Sequence, residues 1–106
     1  MQLSIITATH NRSEQFQNIC LPSLLAQSNQ NFEWIIINDG ACAKTKAIIQ
    51  QQQDECSIVY LESNHQGLIP SRNKGLSVAS APLISFLDDD NALAPTFIEE
   101  VLSFFE

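Results

Sequence analysis

A length of 106 residues suits one domain, and 44% hydrophobic against 16% charged residues indicates a chain that buries a core and is not disordered. Twelve acidic against five basic residues give a net charge of -7, which argues against a nucleic-acid-binding surface because such a surface needs clustered lysine and arginine. Three cysteines without C-x-x-C spacing, no basic leader and no apolar run of about 18 residues together predict a cytoplasmic protein.

The first half of the chain contains two apolar runs that predict strands and two segments that predict helices. Residues 3–7 form a short β-branched run, and the apolar spacing after it predicts a helix that Ser13 caps and Pro22 kinks. Residues 33–38 are almost continuously apolar, which is typical of a strand covered on both faces. A second helix is expected over residues 44–53.

The second half repeats this alternation of strands and helices. Residues 58–61 and 83–87 predict two further strands. Between them, Pro70 suits the first turn of a helix that runs to about residue 80. Pro95 is expected to open an apolar final helix.

Four strand and helix units in sequence predict the architecture of residues 1–106. We expect a single α/β domain, a Rossmann-like and mostly parallel sheet of about four strands with helices on both faces. In such sheets the carboxyl ends of all strands lie at one edge, where ligands bind. Residues 9–12, Asp39, Asn64 and residues 88–90 should therefore gather at that edge.

Three adjacent aspartates, Asp88 to Asp90, follow the last predicted strand. Their charges repel one another at close range, and either solvent or a bound divalent cation must offset that cost. A well-hydrated acidic turn explains an isolated triplet about as well as a metal site does. The position at the carboxyl end of a strand favours the metal site, and Mg²⁺ or Mn²⁺ with phosphate oxygens suits these ligands.

Other polar residues at the same edge are candidates for binding an anionic ligand. Asp39 can accept hydrogen bonds from the imide or hydroxyl of a ligand, although for Asp39 taken alone the common Asp-Gly turn is the better explanation. Arg72 and Lys74 lie in the first turns of a helix, where cations add to free backbone N–H groups in attracting a diphosphate. His10 could stack on a base, and His65 suggests no role.

Four motifs, in order, resemble those of family 2 glycosyltransferases and span nearly the whole chain. Residues 5–12 resemble the family's opening strand, residues 32–40 its second strand, and residues 67–75 its helix motif. Residues 86–90 resemble the metal-binding D-x-D. The resemblance implies a GT-A fold, and it implies that the chain is the nucleotide-binding half of such an enzyme. An enzyme of this kind binds a nucleotide-diphosphate sugar, often a UDP-sugar, with Mn²⁺ or Mg²⁺ and transfers the sugar with inversion.

The resemblance also implies roles for single residues. Thr9 and Asp39 would hold the base, Arg72 the base or diphosphate, Asp88 the ribose, and Asp90 the metal. Ala8 replaces the usual proline, which leaves the identity of the base less constrained than the metal site. The expected nucleotide-binding residues are Thr9, His10, Asn11, Arg12, Asp39, Arg72, Asp88 and Asp89, and the expected metal ligand is Asp90.

In the family, the acceptor subsite and the general base come from strands after the D-x-D. Neither Glu99 nor Glu100 fits the position of that base, which an acceptor hydroxyl needs at neutral pH. We therefore expect a truncated catalytic unit without the acceptor-binding half and without the base. The expected partners are the donor sugar, a saccharide or glycolipid acceptor, a membrane surface contacted peripherally, and a second copy of the chain.

Two alternative classes of protein share part of this pattern. A nucleotide-binding module would keep the pocket and the metal site without transferring a sugar. A receiver-like signalling domain also has parallel strands that end in carboxylates, but it needs an acidic pair after strand 1. This chain has residues 9–12 there, and it has Ser63 and Asn64 where a receiver has its phosphorylated aspartate.

Overall fold

The computed structural model describes residues 1–105, which alternate between strands and helices. The strands are short and apolar, and the helices return the chain from one end of the sheet to the other. The elements are β1 (Leu3–Thr9), α1 (Ser13–Gln15), a π-helical turn (Phe16–Cys20), α2 (Leu21–Leu25), β2 (Phe32–Asp39), α3 (Ala43–Gln51), β3 (Ile58–Ser63), α4 (Leu68–Val78), β4 (Leu83–Phe86) and α5 (Phe97–Phe104).

The four strands form one parallel sheet in the order β3-β2-β1-β4. Every position of β2 is buried, as its near-continuous apolar sequence predicts for a strand covered on both faces. β1 pairs with β2 from Leu3 opposite Phe32 to Thr9 opposite Asn38. The predicted α/β fold with a parallel sheet of four strands is confirmed.

Helices cover both faces of the sheet, and each face has its own apolar cluster. The larger cluster joins Phe16 and Ile98 to Trp34 and contains Ile49 of α3, so α2, α3 and α5 lie on this face. The rings of Phe16 and Trp34 stack with centroids 5.5 Å apart. The smaller cluster contains Ile6, Ile35 and Ile37, and α4 covers it.

Gly75 lets α4 approach the second face of the sheet closely. A Cβ atom at this position would lie 2.6 Å from Ile6 Cγ2 and 3.0 Å from Ile37 Cδ1. Both distances are shorter than ordinary packing allows, so a larger residue would push the helix away from the sheet. The glycine therefore lets α4 lie close to the sheet. The position of α4 in turn sets the position of the loop between β3 and α4, which lies at the carboxyl edge of the sheet.

Several predicted boundaries differ from the structure. The helix after β1 has a π-helical turn that ends at Cys20, two residues before Pro22, because proline has no N–H and its ring clashes with the carbonyl four residues earlier. Ser13 is the first helical residue and makes no capping hydrogen bond. Pro70 lies in the first turn of α4, in agreement with the prediction, because the helix begins at Leu68, but α4 ends at Val78 rather than at about residue 80. α5 begins at Phe97, two residues after Pro95, whose carbonyl accepts a hydrogen bond from Ser28 N.

At the amino end of β2, Glu33 fastens the loop that follows α4. Its Oε2 accepts hydrogen bonds from Ser4 Oγ at 2.5 Å, from Ser80 N at 2.7 Å and from Ser80 Oγ at 2.9 Å. Burial alone would raise the pKa of Glu33, but these hydrogen bonds outweigh it and lower the pKa below its ordinary value. Glu33 is thus an ionised, structural carboxylate.

Among residues 1–105 there is no helix with the length and apolar character needed to cross a membrane. The longest helix, α4, has 11 residues, whereas a membrane-spanning helix needs about 20.

Candidate functional site

A cavity of about 490 Å³ opens at the carboxyl ends of the strands. Parallel strands all end at this edge, so polar residues that are far apart in sequence meet here. Seven of the predicted site residues line the cavity: Thr9, His10, Arg12, Asp39, Asp88, Asp89 and Asp90. His65, Gly67 and Leu68, from the loop before α4 and the start of that helix, also line it.

The acidic triplet presents two exposed carboxylates and one buried carboxylate to this cavity. Asp88 pairs with Arg72 at 3.3 Å, and Asp90 pairs with Arg12 at 3.2 Å. Asp89 is buried and accepts a hydrogen bond from Thr9 Oγ1 at 2.8 Å, with Arg12 3.6 Å away. The middle aspartate therefore connects the segment after β4 to the end of β1, while its neighbours remain accessible to a ligand.

The buried carboxylate of Asp89 is incompletely compensated. Burial raises its pKa above the ordinary value, and the charges of Asp90 and Asp88 act in the same direction. The hydrogen bond from Thr9 and the charge of Arg12 oppose this rise without overcoming it. Three carboxylates face two guanidinium groups here, so a divalent cation would relieve the remaining repulsion. Carboxylate oxygens are the ligands that Mg²⁺ and Mn²⁺ prefer, and the residues fit such an ion.

Asp39, at the end of β2, accepts four hydrogen bonds from the last residue of β3 and the loop that leads into α4. Oδ1 accepts from Gln66 N at 2.9 Å and Ser63 Oγ at 3.1 Å, and Oδ2 accepts from Gly67 N and His65 Nδ1, each at 3.0 Å. Burial would raise its pKa, but these bonds lower it below the ordinary value. Asp39 is therefore ionised, and its acceptor capacity is filled by the protein itself.

His10 and His65 form a stacked pair beside Asp39. Their ring centroids are 3.9 Å apart, with 24° between the ring planes. His10 Nδ1 lies 2.7 Å from the backbone oxygen of Asp39, and because a carbonyl only accepts, this nitrogen carries the proton. His65 donates to the carboxylate of the same residue by the same reasoning.

His10, Asp39 and His65 also bring potential metal ligands within 4.8 Å of one another. The lone pair of an imidazole nitrogen lies in the plane of its ring. Two stacked rings with 24° between their planes cannot both direct a lone pair at one nearby ion. In this arrangement the acidic triplet is the better site for a hard cation, and the histidine pair presents a flat aromatic surface instead.

Two predicted site residues lie outside the lining of the cavity. Asn11 is exposed, has a φ of 52°, and its amide nitrogen lies 3.4 Å from His10 Nε2. Arg72 contacts Asp88 and places its guanidinium carbon 4.9 Å from the centre of the Phe86 ring, so it flanks the cavity. Thr9 lines the cavity, but its hydroxyl is directed to Asp89.

His65 is the cavity residue for which the sequence indicated no role. A single loop histidine has no local signal, since its partners, His10 and Asp39, lie far away in the sequence. Its position between β3 and the helix motif, in the segment expected at the ligand-binding edge, is the one sequence feature that places His65 near the site.

Comparison with known protein families gives one match that covers nearly the whole chain. The model for "Glycosyl transferase family 2" matches residues 4–106. An uncharacterized glycosyltransferase of Haemophilus influenzae is 35% identical over 104 residues, which are 98% of this chain and 34% of that protein. The validoxylamine A glucosyltransferase of Streptomyces hygroscopicus is 30% identical over 105 residues, which are 95% of this chain and 25% of that protein. The chain thus spans about a third of the first relative and a quarter of the second.

Solved structures of the same architecture cover the chain closely. TarS of S. aureus in complex with UDP-GlcNAc has a TM-score of 0.90 at 23% identity, covering 99% of this chain and 31% of that one. A mannosyltransferase of Pyrobaculum calidifontis in complex with GDP-Man and Mn²⁺ has a TM-score of 0.78 at 15% identity, covering 89% of this chain and 29% of that one. These similarities confirm the predicted fold.

Proposed function

The chain belongs to glycosyl transferase family 2, and on that premise we propose that it binds a nucleotide-diphosphate sugar, preferably a UDP-sugar, at the carboxyl edge of its sheet. The binding would serve transfer of the sugar to an acceptor hydroxyl. One observation carries the proposal. The acidic triplet and the Asp39–His10 pair line one cavity, with Arg12 in the same lining and Arg72 paired to Asp88 beside it.

The diphosphate end of the ligand would bind at the acidic triplet. A bound Mg²⁺ or Mn²⁺ would neutralise the diphosphate charge and stabilise it as a leaving group. Asp90 would hold this ion, and Asp88 would contact the ribose. Arg72 and Arg12 now pair with Asp88 and Asp90, and both could turn to the phosphates when a cation takes their place.

The base end of the ligand would bind at Asp39 and His10. His10 offers an aromatic face, held in place by its hydrogen bond to the Asp39 backbone. The buried Asp39 carboxylate would accept an imide N–H of the base in place of the one that His65 donates. Thr9 would act indirectly, through its hydrogen bond to Asp89. Asn11 would support the His10 ring rather than touch the nucleotide.

The acceptor and the catalytic base are proposed to lie outside the residues that the structure describes. Glu99 accepts a hydrogen bond from Ser28 Oγ at 2.9 Å, and neither Glu99 nor Glu100 lines the cavity. This favours a division of labour in which residues 1–106 supply the donor and metal site of a longer enzyme. The same observation favours the second candidate, a nucleotide-binding module without transfer activity. Cytoplasmic location, peripheral membrane contact and homodimer formation stay predictions.

Titration calorimetry with UDP tests the proposal directly. We expect binding in the presence of Mn²⁺ and at least about a tenfold loss of affinity with a chelator, because the metal links the phosphates to the triplet. Asp90→Ala should cause a loss of similar size. The matched control is Asp54→Ala, which removes an exposed carboxylate from the loop between α3 and β3. Equal affinity with metal and with chelator would refute the metal site.

An assay of UDP release separates the two candidate functions. Release of UDP from one member of a panel of UDP-sugars, with or without an acceptor, supports a transferase. Binding of UDP without any release supports the binding module.

A further inference from the structure

The His65 side chain makes the two contacts that a bound nucleobase would make. Its ring stacks on the His10 ring with centroids 3.9 Å apart, and its Nδ1 donates to Asp39 Oδ2 over 3.0 Å. A pyrimidine with an imide N–H on Asp39 and its face on His10 would need the same aromatic surface and the same oxygen. The imidazole and the base therefore compete for one place.

His65 is also the donor to Asp39 that can leave with the least disturbance. Gln66 and Gly67 donate through backbone N–H groups, which are fixed by the loop, and Ser63 is the last residue of β3. The His65 side chain is 59% exposed, so a rotation about its side-chain bonds moves the ring into solvent. The loop would keep its other three hydrogen bonds to Asp39 after that rotation.

The His10 ring, in contrast, is fixed from two sides. Its Nδ1 donates to the Asp39 carbonyl over 2.7 Å. Gly40, with a φ of 98°, lies so close that a Cβ there would be 3.0 Å from the same nitrogen. Because Gly40 has no side chain, the His10 ring fits against its backbone, whereas a side chain at residue 40 would crowd the ring. These two contacts orient the exposed His10 ring, and one face of it is a surface on which a flat ring can stack.

We propose that His65 is a place-holder for the nucleobase, filling the base subsite on His10 and Asp39 until a nucleotide displaces it. This inference rests on the proposed function, because it names the group that competes with the base at the same site. The apparent affinity equals the intrinsic affinity multiplied by the fraction of molecules in which His65 has left the subsite. In the ligand-free protein, His65 also supplies a hydrogen bond that the buried Asp39 carboxylate would otherwise lack, and a buried acceptor without a donor is costly.

The place-holder also indicates which base fits. When His65 leaves, Asp39 Oδ2 regains one acceptor position, while Gly67, Gln66 and Ser63 keep the others. Uracil presents a single imide N–H to such an acceptor. Guanine presents two neighbouring N–H groups, which pair best with both oxygens of a free carboxylate. The site should therefore prefer uracil to guanine.

Calorimetric titration of the 106-residue chain with uridine, and with UDP and Mn²⁺, tests this inference. His65→Ala should tighten uridine binding by roughly three- to thirtyfold, because the competing ring is gone and the loop keeps its backbone bonds. UDP binding should tighten by the same factor, since the place-holder acts on the base alone. Guanosine should bind more weakly than uridine in both proteins.

Two variants serve as controls. His65→Phe keeps a ring that can stack on His10 but removes the N–H, so the gain in affinity should be smaller than in His65→Ala. Gln66→Ala changes the neighbouring exposed side chain and keeps the backbone N–H that bonds to Asp39. Its affinity for uridine should equal that of the unmodified chain.

The outcomes separate the two proposals. If UDP binds the unmodified chain and His65→Ala binds it no tighter, the place-holder is refuted and the proposed function stands. If neither protein binds UDP, the proposed function fails and the place-holder fails with it. Should His65→Ala not fold, NMR of the unmodified chain decides. Uridine must shift the His65 ring signals to those of an unstacked imidazole, and unchanged signals would overturn the inference.

Discussion

The two ends of β2 carry buried carboxylates that do similar work with different consequences. Glu33 at the amino end binds the loop that leaves α4, through Ser80. Asp39 at the carboxyl end binds the loop that enters α4, through Gln66 and Gly67. In both, hydrogen bonds outweigh burial and keep the pKa below its ordinary value. One strand thus anchors both ends of the same helix.

The two ends of β2 differ in the residues that donate hydrogen bonds to the carboxylate. Glu33 receives its hydrogen bonds from Ser4 and Ser80, and neither residue lines the cavity at the sheet's other end. Asp39 receives one of its four from the exposed His65 side chain, and it lines that cavity. The buried carboxylate at the amino end of β2 thus has a structural role. At the carboxyl end, one of the hydrogen bonds to the carboxylate can be exchanged for one from a ligand, as a binding site requires.

The largest effect on stability is expected at the amino end. Glu33→Ala should lower the free energy of unfolding by roughly 2–3 kcal/mol, because it leaves Ser4 and Ser80 donors without their charged acceptor. Urea denaturation followed by the fluorescence of Trp34, the sole and fully buried tryptophan, measures this. The affinity of the folded protein for uridine should not change. A loss of affinity would mean that the two ends are coupled.

A smaller loss of stability is expected at the carboxyl end, together with a loss of binding. Asp39→Asn should cost about 1–2 kcal/mol, since one oxygen still accepts and the amide now faces N–H donors. Affinity for uridine should fall by about tenfold, because the charged acceptor of the base is gone. The same denaturation and calorimetry experiments apply. Unchanged uridine binding would show that Asp39 belongs to the structural class of Glu33.

Gly75→Ala tests the helix between the two anchors. The added methyl would meet Ile6 Cγ2 at 2.6 Å, so overpacking should exceed the gain in helix propensity and cost about 1 kcal/mol net. Ser77→Ala, on the same helix and exposed, is the control. A stabilised Gly75→Ala would contradict the close approach of α4 to the sheet.

Acid should weaken the hydrogen bonds that the Glu33 and Asp39 carboxylates accept. Near neutral pH, this change in the free energy of unfolding is the smallest of the predicted effects. Both pKa values are lower in the folded protein, so their stabilisation is full above the unfolded pKa values, about 3.9 for Asp and 4.3 for Glu. It is lost as the pH falls through the folded values. Asp89 acts in the opposite sense, because its raised pKa favours the folded state at low pH.

Denaturation measured from pH 7 to pH 3 gives this dependence. Glu33→Gln and Asp39→Asn should each make the acid loss of stability shallower, while Asp89→Asn should make it steeper. An identical slope in all four proteins would contradict the assignment of these carboxylates.

The sequence predicted the strands well, because β-branched runs such as residues 33–38 specify buried parallel strands without tertiary information. The position of the acidic triplet followed from the end of the last strand. The π-helical turn before Pro22 was expected only as a kink, since proline marks a disturbance but not its form.

Contacts between distant residues could not be predicted in the same way. The sequence predicts only that Glu33 is part of a strand, because its hydrogen bond from Ser80 depends on the loop after α4. His65 gained a place only when the fold brought it onto His10. The sequence predicts Asn11 together with its neighbours as a site residue, but Asn11 has a left-handed backbone and does not line the cavity.

Paramagnetic broadening by Mn²⁺ tests the central claim, that the carboxyl end of the sheet binds a cation with a nucleotide. NMR spectra of the chain with substoichiometric Mn²⁺ should lose the signals of residues 88–90 and of Thr9 and Arg12, and more so after addition of UDP. The signals of Glu33 and Ser80, at the opposite end of β2, should stay sharp. Uniform broadening, or broadening centred on Glu33, would contradict the account.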